Sequence, residues 1–215
     1  MQRHAPTLRG WLHLVAFPVM AVAGSLLVTL GGRTSSSRLL LTVYAAGTAT
    51  MFGVSALYHR VPWSPALKAR LQTCDRSAIF LAIAGGYTPV AALCLDGMLR
   101  TVVLGGVWTG SVLGMALVWI PGVHRAWKGA SYIVVSWVAA IALPDLARGL
   151  GTLGFVLILT GGVCYTIGAV AFATHWPDPW PRVFGFHEVF HSFTIVAASL
   201  QFTAMATVVA PRLSA

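Results

Sequence analysis

Apolar residues along this chain come in long blocks, parted by short turns that carry its prolines, glycines and most of its charges. Seven blocks stand out, at approximately 11–30, 39–57, 78–95, 101–120, 131–143, 150–173 and 189–209. About 20 apolar residues suffice for a helix to span a bilayer, and every block except the fifth approaches that length. The fifth is expected to recruit flanking residues. In hydrocarbon a backbone must satisfy its own N–H and C=O groups, so each block reads as a helix. The breaks are Gly31-Gly32-Arg33, Pro62 to Pro65, Pro121-Gly122, Pro144-Asp145 and the Trp176–Pro181 stretch. The pattern therefore predicts an all-α polytopic integral membrane protein: one seven-transmembrane helix bundle over residues 1–215, without internal repeats.

Composition agrees. Of 215 residues, 57% are hydrophobic and 9% charged, whereas a soluble domain carries about 25% charged residues. The net charge of +9 raises nucleic acid as a partner, but the basic residues stand singly or in small groups between apolar runs and form no patch. They report topology instead. With a cytoplasmic N-terminus, the inner segments hold Arg3, Arg9, Arg60, Lys68, Arg70, Arg76, Arg125, Lys128 and Arg182. The outer ones hold Arg33, Arg38, Arg100, Arg148 and Arg212. That excess predicts N-terminus in, C-terminus out, in a multi-pass protein of the plasma membrane. Arg3 and Arg9 before an apolar run, with Ala21-Val22-Ala23 inside it, resemble a cleaved signal. The run continues to Leu30, long enough to be read as a retained first span. Cys74, Cys94 and Cys164 are scattered and odd in number, which implies no disulfide framework and no thiolate metal site. Gly106, Gly110 and Gly114 form a doubled small-xxx-small pattern expected at a close helix contact.

The chemistry concentrates in Phe186-His187-Glu188-Val189-Phe190-His191. Histidines at i and i+4 share one helix face, a spacing that can set two imidazoles on one metal ion. His59 closes the second block and Asp75 opens the third, and helix parity brings both to the membrane face that holds His187 and His191. Ionisable groups near lipid are costly and turn inward or toward each other, so three histidines and a carboxylate gathered there make a metal-site constellation. Asp75 alone is ambiguous, because Arg70 or Arg76 can neutralise it. Helical phase adds Thr194, Ala198 and Gln201 on the seventh helix, Ser55, Thr48 and Tyr44 on the second, and Ala82 and Gly86 on the third. These polar and small side chains line either a chamber or a close-packed contact. His4, His13, His124 and His175 read as interfacial residues. Taken literally, H-E-x-x-H proposes a metalloprotease with Glu188 as base and Asp96 as a third ligand. Asp96, however, closes the opposite end of the third block, a bilayer of about 30 Å away, and Glu188 suits the first turn of a helix by its charge.

Phe52-Gly53-Val54-Ser55-Ala56-Leu57-Tyr58-His59, Asp75, Ala84-Gly85-Gly86-Tyr87-Thr88-Pro89 and Phe184-Gly185-Phe186-His187-Glu188-Val189-Phe190-His191 together resemble the bacterial hemolysin III proteins. Those belong with the progestin and adiponectin receptor (PAQR) family and are distantly similar to alkaline ceramidases. The resemblance extends from Arg9-Gly10-Trp11-Leu12-His13 to the seventh block. It implies seven helices with a cytoplasmic N-terminus and zinc held by His59, His187 and His191. It also implies a water in the fourth position, contacted by Asp75, with Ser55 close by. Two positions depart from the family pattern: Arg76, often histidine, and Gly86, usually threonine. Arg76 is expected to draw Asp75 toward an ion pair.

The function expected on that basis is a zinc-dependent lipid amide or ester hydrolase of ceramidase type, with Asp75 and Ser55 as its catalytic residues and a membrane acyl lipid as substrate. Three protein ligands leave zinc the open position that catalysis needs. The rivals are a non-catalytic receptor or sensor stapled by zinc, and a cytolytic factor. No segment reads as built to attack another cell, so any haemolysis is expected to be indirect.

Overall fold

A computed structural model describes residues 6–215, so Arg3 and His4 lie outside the described residues. It is all helical. Helix α1 (Trp11–Leu26) continues into a π-helical turn, Leu27–Gly31. Then follow α2 (Ser35–Arg60), α3 (Pro65–Cys94), α4 (Gly97–Trp119), α5 (Arg125–Ser136) and α6 (Leu143–Thr174). The chain ends in α7 (Phe186–Ala204), a second π-helical turn at Met205–Val209 and the short α8 (Ala210–Leu213). Among the described residues, six helical runs are long and apolar enough to cross a membrane, which makes this a multi-pass membrane protein.

Two elements differ from the hydropathy pattern. The third apolar block starts at residue 78, yet α3 begins at Pro65. Ser64 caps it by accepting from the Leu67 N–H, and Pro65 sits in the first turn, where its missing N–H costs nothing. Lys68, Arg70 and Arg76 lower the hydropathy of this stretch without breaking its helix, so Asp75 lies nearly three turns inside α3. The second difference is the 50-residue run Arg125–Thr174. It is interrupted by a 3-10 segment, Val138–Ala142, and at Gly151, whose φ of +67° is left-handed. The expected fifth and sixth blocks, 131–143 and 150–173, thus lie in one helical run broken at these two points.

The contacts of α5 fix its course. Lys128 Nζ donates to the carbonyls of Val118 (2.9 Å) and Ile120 (3.1 Å) at the end of α4. Tyr132 donates to the Arg76 carbonyl and stacks on Phe80. Tyr87 Oη donates to the Ser136 carbonyl. Beyond the 3-10 segment, Gly149 touches Cys94 at the far end of α3, where a Cβ would lie 2.7 Å from the thiol sulfur.

Close backbone approaches set the packing. A Cβ at Gly47 would lie 2.6 Å from the Leu81 carbonyl, and one at Gly85 2.8 Å from that of Val43, so α2 and α3 pack backbone to backbone. The α4 glycines behave as expected, Gly106 against Val138 and Gly110 against Val135. At Gly114 an added methyl would lie 2.3 Å from the Phe80 ring, which is buried and held by Tyr132. Gly114→Ala is therefore expected to lower stability by about 1–3 kcal/mol through overpacking, read as an earlier thermal transition in detergent. Large apolar side chains face outward on every long run, Val15, Val19, Val22 and Leu30 on α1 among them, as a lipid solvent requires.

Candidate metal centre

Three helix ends build the site. Helix α2 stops at Arg60 because Val61, ahead of Pro62, takes an extended backbone. This leaves Ser55 and His59, one turn apart, on its last turns. Helix α7 starts under tight control: Glu188 Oε2 accepts from the Gly185 N–H at 2.9 Å, and Asp178 Oδ1 accepts from the Phe186 N–H at 3.0 Å. Two of the orphan donors of a helix start are thereby satisfied, and His187 and His191 are set in the first two turns. Helix α1 enters through Gly10, at φ +80°. A Cβ there would lie 2.5 Å from the Cβ of His59, so glycine serves both the left-handed backbone and the close approach.

These ends bring together His59, His187 and His191. One ligating atom from each lies within 4.8 Å of the other two, with His59 and His187 half-buried and His191 buried. His59 Nε2 and His187 Nε2 stand 3.2 Å apart. Two ligands of a tetrahedral zinc at about 2.0–2.1 Å are about 3.3–3.4 Å apart, so this pair already has near-ligand spacing. His191 Nδ1 is buried without a hydrogen-bond partner. Phe172 packs edge-on against His187, and Phe190 lies beside the ring of His191. The donor set suits a metal ion.

Asp75 is not part of that triplet. It stands on α3 next to the buried Ser55. Arg76 makes no ion pair with Asp75 among the described residues. Of the lining residues, Tyr44, Thr48, Thr194 and Ala198 are buried, and Gly86 faces the Gln201 amide. Asp96 pairs with Arg100 at 2.8 Å, exposed at the start of α4, and is not part of the histidine cluster.

Two residues were misjudged or missed from the sequence. His13 is not interfacial. It is 3% exposed and stacked on His191, with ring centroids 3.8 Å apart and planes 6° from parallel. Its signal was helical phase, because His13 shares a face with Ala16, Gly24 and Leu27, the buried stripe of α1. His124 and His175 do sit exposed at helix ends, as expected. The second is Arg9, whose Nε donates to Glu188 Oε1 at 2.5 Å while Glu188 is fully buried. Backbone hydrogen bonds from Thr7 to Arg182 and from Leu8 to Val183 run alongside. Glu188 is thus the helix-start residue expected of it and also the anchor of the N-terminal segment. Glu188→Gln keeps an acceptor for the Gly185 N–H but leaves Arg9 uncompensated. A loss of about 2–3 kcal/mol is expected, short of the cost of a fully buried pair because Arg9 is partly solvated, with metal content unchanged. Thermal unfolding and elemental analysis of one preparation check both halves.

The chain is similar to known proteins along most of its length. The family model described as Haemolysin-III related matches residues 1–202. Hemolysin-3 of Bacillus cereus is 30% identical over 84% of this chain and 80% of its own. The Hemolysin-3 homolog of Bacillus subtilis is 26% identical over 75% and 73%. The human monocyte to macrophage differentiation factor is 25% identical over 87% and 77%.

Proposed function

The chain belongs to the haemolysin-III related family, and from that premise we propose that it is a zinc-dependent hydrolase of amide or ester bonds in membrane acyl lipids. The observation that carries this reading is the convergence of His59, His187 and His191 beside the Ser55–Asp75 pair. Three neutral imidazoles are a zinc donor set, and three protein ligands rather than four leave a position open for chemistry. Bound there, zinc supplies a Lewis acid and brings water to a pKa of about 7.

The chain's own residues do the rest. Asp75 accepts the proton that the attacking water gives up, as a general base, and returns it to the amine or alcohol that leaves as the acyl C–N or C–O bond breaks. Ser55, on the turn before His59, holds the Asp75 carboxylate toward the site. The small and hydroxyl side chains of α2, α3 and α7 receive the acyl chain, so that the scissile carbonyl reaches the histidines from within the membrane.

The proposal includes seven crossings with the N-terminus cytoplasmic. In its support, the segment from Lys128 to Gly149 follows α3 and α4 from the end marked by Val118 to the end marked by Cys94. The turn at Gly151 then sends 152–174 back. The excess of basic residues on the inner segments, Arg3 and Arg9 through Arg182, sets the orientation, with the histidine cluster at the cytoplasmic face. The test is release of fatty acid from ceramide and from simple acyl esters by the purified, zinc-loaded protein in detergent or vesicles. Full zinc occupancy with no turnover of any acyl lipid would sink the enzyme reading.

A further inference from the structure

His13 takes no part in the arrangement above, and its surroundings do not explain why it is a histidine. The ring lies flat on His191 at 3.8 Å and edge-on to Phe52 at 4.9 Å. Phe52 belongs to an apolar cluster with Ala16, Met51, Ala78 and Ala198. Both ring nitrogens are buried and neither has a hydrogen-bond partner. A buried polar atom left unpaired is destabilising, and an apolar ring would fill the same space at no such cost. Few buried groups in a folded protein stay unsatisfied without a guest to meet them.

We propose that His13 is a second-partner residue for the guest of the metal centre, giving a hydrogen bond to the non-protein ligand of the ion and not to the ion itself. This rests on the metal reading given above. His13 is outside the triplet whose ligating atoms lie within 4.8 Å, so it is not a fourth ligand. Its ring lies parallel to that of His191, with centroids 3.8 Å apart, so its unpaired nitrogens would border the guest of an ion held by His191 and could hydrogen-bond to it from that side. The class of guest is a small acceptor or donor bound end-on: water, an anion, or the carbonyl oxygen of a substrate.

Cobalt(II) in place of zinc and azide as guest make the contact measurable without turnover. The full-length chain is loaded with cobalt, and azide is titrated while the visible absorption of the ion is followed. His13→Phe, which keeps a flat ring on His191 but no nitrogens, is expected to bind cobalt within about 2-fold of wild type. Its azide affinity is expected to fall about 10-fold, the loss of one hydrogen bond. His13→Gln, with a donor restored, is expected to recover part of that loss, and His13→Leu repeats the apolar test with a smaller side chain. Unchanged azide affinity in the apolar variants overturns the inference and leaves His13 a packing residue. A large loss of cobalt affinity in those variants also overturns it, because His13 then serves the ion. If wild type itself binds no cobalt, the metal reading falls, and this inference with it.

Discussion

Replacing His191 with alanine is expected to strip the metal from the purified protein. His191 is one of three nitrogen donors, 2% exposed, on a helix start that Glu188 and Asp178 hold in place. The loss of an outer partner to a ligand costs about 10–100-fold in metal affinity, so loss of a ligand is expected to cost at least about 100-fold. Zinc measured by elemental analysis after exchange against a mild chelator should fall from about one equivalent to near none. His59→Ala should match it although His59 sits on α2, because the site needs both helices. His124→Ala, altered at an exposed helix cap, should retain full zinc. Equal zinc in wild type and His191→Ala removes the central claim, whatever the activity of either.

The second large effect is expected at Asp75. Asp75→Asn keeps size and hydrogen bonding but cannot accept a proton. As general base it is worth about 100- to 10,000-fold in turnover, and zinc content should not change because Asp75 lies outside the histidine triplet. That combination separates the two readings of one cluster. A hydrolase loses rate and keeps metal. A zinc staple joining α2 to α7 shows no acyl-lipid turnover in wild type, keeps zinc in Asp75→Asn, and loses thermal stability on chelation in both. Ser55→Ala, which removes the hydroxyl beside Asp75, should give an intermediate loss of rate in the enzyme case only.

The clustering of His59, His187 and His191 was legible before any coordinates, and the reason is the membrane. Lipid forces each apolar block into a helix of nearly fixed length, so counting blocks says which loop ends share a face. Within that constraint i, i+4 spacing places His187 with His191, and parity brings His59 to the same level. The rest failed where hydropathy stops reporting structure. Helix α3 gains its first turns from Ser64 and Pro65, local signals that a charged, polar stretch conceals. Asp75 stands beside Ser55 and outside the histidine triplet, as the resemblance implied, but the close contact of α2 and α3 through Gly47 and Gly85 is set by backbone packing that hydropathy does not report.

The alternation of apolar blocks with glycine- and proline-bearing turns, taken alone, settles that the protein is a helical membrane protein. The H-x3-H spacing with a distant S-x3-H points to where its histidines gather. These are local or one-dimensional properties, dictated by the cost of an unpaired backbone in lipid and by the pitch of a helix. Only the tertiary structure decided what stands around the histidines: His13 flat against His191, and Arg9 on the buried Glu188. Which face of α1 meets α7 depends on how side chains from distant parts of the chain interlock. That packing is a short-range, many-body matter, and no spacing along the sequence encodes it.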